Sequence, residues 1–283
     1  MSSIITPEGQ AGPTRGKWVV LSVVSIGTLM STLEGGMVNV SYPALVEAFD
    51  SDTSTVLWVT VANWVTSVGL LLTLGWLGDV AGRKRVFTLG FVVFALGLLL
   101  SAASLNIWQL IGARIFQGVG SSMLLSNLNA LIAASFPEGE RGKALGISGA
   151  VVGVGLSAGP LLGGALLDLL DWRALFYTRA PLGVLGAVLG WWLLPMDRPQ
   201  GKRPRVDLIG AASLFGTLAC FLLFVNQGGR GGFGSLLAVW MALAAGLFLA
   251  VLVWSERRSV RPILGTTLFR TRRYTASLLV LGA

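Results

Sequence analysis

The feature that most constrains this sequence is a succession of long apolar runs, each broken by a short stretch of charged and turn residues. A helix needs roughly 20 apolar residues to cross a bilayer, and bounding the runs in this way places spans near 18–41, 56–76, 86–104, 108–134, 144–167, 175–195, 207–226 and 236–254. A ninth run opens at Tyr274 and reaches Ala283, about half the length needed to cross. The expected fold is all-α and integral to the membrane. Only 12% of residues are charged, against about 25% in soluble domains, so most side chains face lipid. Arg15 and Lys17 precede the first run as they would in a signal peptide, but the run is too long and further spans follow it, so it reads as a retained helix.

The net charge of +8 does not point to nucleic acid, because the basic residues are scattered over short loops instead of forming one face. One set of alternate loops carries seventeen of the 21 Lys and Arg residues, the other set carries only Arg173 and Arg230, and Arg114 and Arg179 lie inside spans. Cytoplasmic loops retain positive charge, which predicts a cytoplasmic N-terminus in an inner or plasma membrane. The sole cysteine, Cys220, sits in an apolar run, so no internal disulfide is available. With no histidine anywhere, proton chemistry must use carboxylates.

The organisation predicted is a cytoplasmic tail (1–17), a six-helix bundle (18–195), a cytoplasmic linker (196–206), two additional helices (207–254), and a cytoplasmic loop leading into the ninth run (255–283). The linker is drawn at Met196 to Val206 because two prolines and five charged residues disfavour helix there.

Glu34 is the one carboxylate well inside a span. An acid in hydrocarbon is costly and by default marks function, here a proton- or cation-binding role. The alternative is a packing hydrogen bond at a water-filled entrance. Arg114 lies about one and a half turns into the fourth span, with Gln117 on the same face and Gly118 beside it. It either tunes the acid or satisfies backbone carbonyls. Arg179, placed near the outer end of the sixth span, is expected to snorkel to the interface. The fifth span holds Gly155, Gly159 and Gly163 at four-residue spacing, with Pro160 and Gly164 beside them. Such a stripe admits a close-packed helix and suits a helix on which two bundles rock. Between the second and third spans, Gly75-Trp-Leu-Gly-Asp79-Val-Ala-Gly82-Arg83-Lys84-Arg85 forms a tight turn with an acid ahead of three bases. Simple charge anchoring needs no acid, so Asp79 suggests a charge-mediated latch.

That turn resembles the loop signature of the major facilitator superfamily, Gly-x-Leu-x-Asp-x-x-Gly-Arg-Lys. Leu110 to Gly118 is similar to its fourth-helix signature, Gly149 to Gly164 to the fifth-helix signature of antiporters, and Leu33 to Pro43, including Asn39, to the first-helix signature of the fourteen-helix drug:proton branch. Trp172-Arg173, Phe176-Tyr177 and Pro181-x-Gly183 also resemble that branch. The sequence departs from the branch's usual residues at Glu34 (Asp), Gly36 (Thr), Val80 and Ala81 (a basic and an aromatic residue) and Arg179 (Asn). The resemblance implies proton-driven export of small amphipathic, often cationic compounds, with no cofactor beyond the proton gradient. Glu34, Asn39, Arg114 and Gln117 would form the coupling and substrate site. Gly75, Asp79, Gly82, Arg83 and Lys84 would form the latch. It further implies that the chain supplies the first bundle, two intervening helices and a stub, so that a second copy or a C-terminal half completes the cavity. The rival expectations are a non-transporting remnant or assembly partner, and a facilitator or importer of the same superfamily. No nucleophile and base pair, metal cluster or phosphate loop suggests an enzyme.

Overall fold

The computed structural model describes residues 14–196 and 208–258, and every regular element among them is helical. In chain order these are α1 (Thr14–Val40), α2 (Tyr42–Phe49), α3 (Thr53–Ala81), α4 (Arg83–Ala102), α5 (Ile107–Ser135), α6 (Glu138–Leu169), α7 (Ala174–Tyr177), α8 (Ala180–Leu193), α9 (Leu208–Gly231) and α10 (Leu236–Arg258). The 197–206 part of the expected linker, the expected tail up to Pro13 and the run from Tyr274 lie outside the described residues.

Among the described residues, seven segments are long and apolar enough to cross a membrane: Gly16–Val40, Thr53–Ala81, Arg83–Ala102, Glu138–Leu169, Ala174–Leu193, Ala212–Gly229 and Leu236–Ser255. Helix α5 is as long as α3 but more polar, and its polar residues point inward: Arg114, Gln117, Ser121, Ser122 and Asn127 are all buried. It runs at the centre of the bundle against α3, α4 and α1, while α6 packs mainly on α1. The outer faces carry exposed Leu, Val and Trp, among them Leu161, Trp191 and Trp240, as lipid or further helices require. Helices α9 and α10 pair with each other and lean on α3.

One predicted span is followed by a short additional helix, and another is interrupted by a two-residue turn. The first ends at Val40, after which the turn residue Ser41 and Pro43, in the first turn of α2, start a short surface helix that the hydrophobic pattern did not reveal. The sixth is broken at Thr178 and Arg179, where Pro181 begins α8 without a donor for the preceding turn. At the start of α3, Asp52 accepts hydrogen bonds from the Ser54 hydroxyl and from the hydroxyl and backbone N–H of Thr55. These donors, the Ser54 hydroxyl foremost, hold its carboxyl down from 3.8 to about 2. The folded value is depressed, so the cap's contribution is complete above pH 3.8 and is lost as pH falls through about 2.

The glycine stripe of α6 is in place, and α1 occupies it. Gly155, Gly159 and Gly163 are buried against Thr32, Leu33, Gly36 and Met37. The close approach requires glycine from both helices, because a Cβ on Gly36 would stand 2.6 Å from Pro160 Cδ and one on Gly159 would stand 2.9 Å from the Leu33 carbonyl oxygen. Gly164 faces open space. The stripe therefore joins two helices of one bundle. A surface on which two bundles rock would have to be the remaining, exposed side of α6.

Candidate functional site

Three charged side chains lie in the interior of the bundle, and the fold brings them together. Glu34 is in α1, about 9 Å from its C-terminal end at 1.5 Å per residue. Arg114 is two turns into α5, and Arg179 lies at the break between α7 and α8. Their exposures are 5%, 1% and 3%.

Arg114 Nη1 donates to Glu34 Oε1 in a short ion pair. The same nitrogen donates to Gln117 Oε1 at 2.5 Å, and Gln117 Nε2 donates to Glu34 Oε2 at 2.6 Å. One turn of α5 thus supplies both an ionic and an amide partner, which closes a ring on the carboxylate. Residues i and i+3 share a helix face, and that spacing makes the ring possible. Arg114 Nε is held by the Val59 carbonyl of α3 at 3.0 Å, which fixes the guanidinium plane. Helix α3 grips α5 by a face repeating every four residues: the Val59 carbonyl accepts from Arg114, Asn63 Nδ2 donates to the Arg114 carbonyl at 3.2 Å, and Ser67 Oγ donates to the Gly118 carbonyl at 3.2 Å.

Arg179 does not snorkel. It sits at the two-residue turn between α7 and α8, its Nη1 is 3.5 Å from Glu34 Oε2, and its Nε donates to the Leu175 carbonyl at 2.7 Å. The fully buried Phe176 ring lies 5.9 Å from both guanidinium carbons. Asn39 stands apart from this group. It is exposed, and its side-chain oxygen accepts from the Tyr42 hydroxyl at 2.8 Å. Among the predicted site residues, then, Glu34, Arg114 and Gln117 come together, Asn39 lies beyond them, and Arg179 joins them.

The predicted latch occupies the end of the bundle that holds the N-terminus of α1. Gly82 adopts φ +100°, a conformation that favours glycine, and it turns the chain from α3 straight into α4. Asp79 then pairs with Arg83 at 2.9 Å, and Arg83 Nη1 also reaches the Ala130 carbonyl of α5 at 3.5 Å. Lys84 Nζ donates to the Leu194 carbonyl at 2.6 Å, which ties α4 to the end of α8. Gly75 lies against Ser126 at ordinary contact distance, and Gly78, not singled out from the sequence, is pressed against Asn127. The Asp79–Arg83 pair is half exposed, and such pairs contribute about 0.2–1 kcal/mol. Asp79→Asn is therefore expected to leave the melting temperature almost unchanged, and a drop of more than a few degrees would show that the pair contributes more than an exposed contact.

A buried carboxylate bound by arginine and glutamine inside a helical bundle, with a Gly-turned acid–base loop at one end, calls for comparison with known membrane proteins. The profile of the Major Facilitator Superfamily matches residues 24–282. The chain belongs to this superfamily. Its relatives include the riboflavin transporter RibZ of Clostridioides difficile, 32% identical over 93% of this chain and 57% of that protein. They also include the puromycin resistance protein pur8 of Streptomyces alboniger, 36% identical over 96% of this chain and 54% of that protein. A third is the methylenomycin A resistance protein of Bacillus subtilis, 33% identical over 91% and 55%. The chain spans about half the length of these curated relatives. The crystal structure of human MFSD10 (TETRAN), an organic anion transporter, shares the fold with a TM-score of 0.59 at 16% identity, covering 89% of this chain and 74% of that one. Membership of the superfamily makes this a multi-span membrane protein of transporter type.

Proposed function

We propose that this chain forms the proton-binding bundle of an antiporter that exports small amphipathic compounds across the inner or plasma membrane, with its N-terminus in the cytoplasm. The observation that carries the reading is the buried Glu34 carboxylate closed in a ring by Arg114 and Gln117. In the ionised state the ring is satisfied. Protonation cancels the charge that holds Arg114, so the two protonation states favour different packing of α1 against α5. A group with two such states shifts a conformational equilibrium by the difference in its interactions. The relatives named for puromycin and methylenomycin resistance support export of small molecules. The excess of basic residues in one set of loops supports the orientation. Substrate sites in folds of this kind lie between two helical halves near the midplane, so a second bundle, from a longer chain or another copy, would complete the cavity.

The test is uptake of amphipathic dyes by liposomes that contain the protein and have an acidic lumen, compared with protein-free liposomes. Dye should accumulate above the protein-free level, and a protonophore should abolish the excess. Equal uptake with and without the gradient would overturn proton coupling, and uptake no greater than in protein-free liposomes would overturn transport.

A further inference from the structure

Among the described residues, the interior of the bundle carries two guanidinium groups and one carboxylate, so their formal charge is +1 with Glu34 ionised and +2 with Glu34 protonated. Buried charges are normally paired, and one positive charge here has no negative partner of its own. The hydrogen bonds identify which. Arg114 is bonded to Val59, Glu34 and Gln117. Arg179 makes one bond, through Nε, and both its terminal nitrogens are buried without a hydrogen-bond partner among the described residues. Its contact with Glu34 Oε2 has ion-pair distance but lacks hydrogen-bond geometry, and that oxygen also accepts from Gln117 Nε2. An unsatisfied buried polar group is destabilising by about 1–3 kcal/mol, and more when charged, so two free N–H edges of a guanidinium call for an acceptor. A planar fork of this kind matches a carboxylate bidentately. Adding a cation to the cluster raises its charge to +2, whereas adding an anion brings it to zero.

We propose that Arg179 is the substrate-charge selector of this transporter and that its ligand is an amphipathic anion, held by a carboxylate or similar group on Nη1 and Nη2. The assignment rests on the transporter reading and replaces the expectation of cationic substrates. Glu34 and the substrate use different atoms: the acid keeps Arg114 and Gln117, and the anion takes the edge of Arg179 that the acid leaves unused. Arg179 lies at the two-residue turn between α7 and α8.

The experiment compares two dyes on one xanthene scaffold, the anion fluorescein and the cation rhodamine 123, by equilibrium fluorescence titration of the protein in phosphatidylcholine nanodiscs. The wild type should bind fluorescein about 30-fold or more tighter than rhodamine 123, the scale expected when a buried charge gains or loses its partner. Arg179→Gln should remove that preference, and Arg179→Lys, which keeps the charge and loses the fork, should retain part of it. Thermal melting identifies any variant that fails to fold. If Arg179→Gln does so, the wild-type preference and the partial preference of Arg179→Lys still decide. Equal binding of the two dyes, a preference for rhodamine 123, no binding of either, or an anion preference that survives in folded Arg179→Gln would overturn the proposal. Displacement of fluorescein by added phosphatidylglycerol would overturn the substrate assignment in favour of a lipid headgroup. Tight fluorescein binding without gradient-driven uptake would count against transport and leave the anion site standing. Gradient-driven uptake of rhodamine 123 without fluorescein binding would do the reverse.

Discussion

Glu34→Gln is expected to abolish gradient-driven uptake and to lower the melting temperature in the same protein. The transport loss follows because glutamine keeps a hydrogen-bond acceptor for Arg114 but cannot exchange a proton, so both sides of the membrane meet the same state of the ring. Exchange of substrate for substrate, which needs no proton, should persist. The stability loss follows from charge. With the carboxylate gone, Arg114 and Arg179, at 1% and 3% exposure, are two positive groups without a negative one between them. Breaking a buried pair by removing one partner typically destabilises by about 3–5 kcal/mol, and the retained amide acceptor places this variant toward the lower end. The surplus charge is separable from the proton chemistry. Adding Arg179→Gln to Glu34→Gln should recover part of the lost stability and none of the gradient-driven uptake, with a coupling of about 0.5–3 kcal/mol in a double-mutant cycle. Gradient-driven uptake at the wild-type rate in Glu34→Gln would end the coupling role. A melting temperature equal to the wild type would mean that water solvates these charges.

The residues differ in how much of this was legible in advance, and the reason in each case is geometric. Glu34, Arg114 and Gln117 were legible because an intramembrane charge is costly and because three residues along a helix share a face. Those rules act within one helix, and the charges had to meet something. The snorkelling expectation for Arg179 weighed its place along one helix alone, whereas its partner, Glu34, is on another, and the side chain lies beside that acid in the interior. Asn39 was assigned with Glu34 from the motif they share, yet five residues along α1 place it at the helix's C-terminal end, where the Tyr42 hydroxyl donates to its side-chain oxygen. The spacing of Gly155, Gly159 and Gly163 announced a close helix contact but not its partner. Gly36, a departure from the usual threonine, supplies the matching half of the contact in α1. Polarity was the reason that α5 is less apolar than its neighbours, and the same polarity places it at the centre.

Gly120→Ala should destabilise the protein more than any other glycine-to-alanine change at α5, and should disturb the site without touching it. An added Cβ would stand 2.5 Å from the Phe94 backbone nitrogen and 2.8 Å from its Cα. Both are backbone atoms of α4, so no side-chain rotation relieves the clash and the helices must separate. Overpacking of this kind typically costs about 1–3 kcal/mol, and Gly120→Leu should exceed it. Gly97 meets Gln117 in the same crossing, where a Cβ on Gly97 would lie 2.6 Å from Gln117 Cβ and 2.7 Å from its Cα. Pushing α5 away from α4 therefore shifts the residue that bonds Glu34 Oε2 at 2.6 Å. Gradient-driven uptake in Gly120→Ala should fall even in the fraction of protein that remains folded. Gly112→Ala in the same helix is the control, since a Cβ there meets nothing within 4 Å, and alanine favours helix over glycine by about 1 kcal/mol. Its melting temperature should equal or exceed the wild type. If Gly120→Ala and Gly112→Ala melt together, α4 and α5 are not in backbone contact, and the position of Gln117 on the carboxylate loses its structural cause.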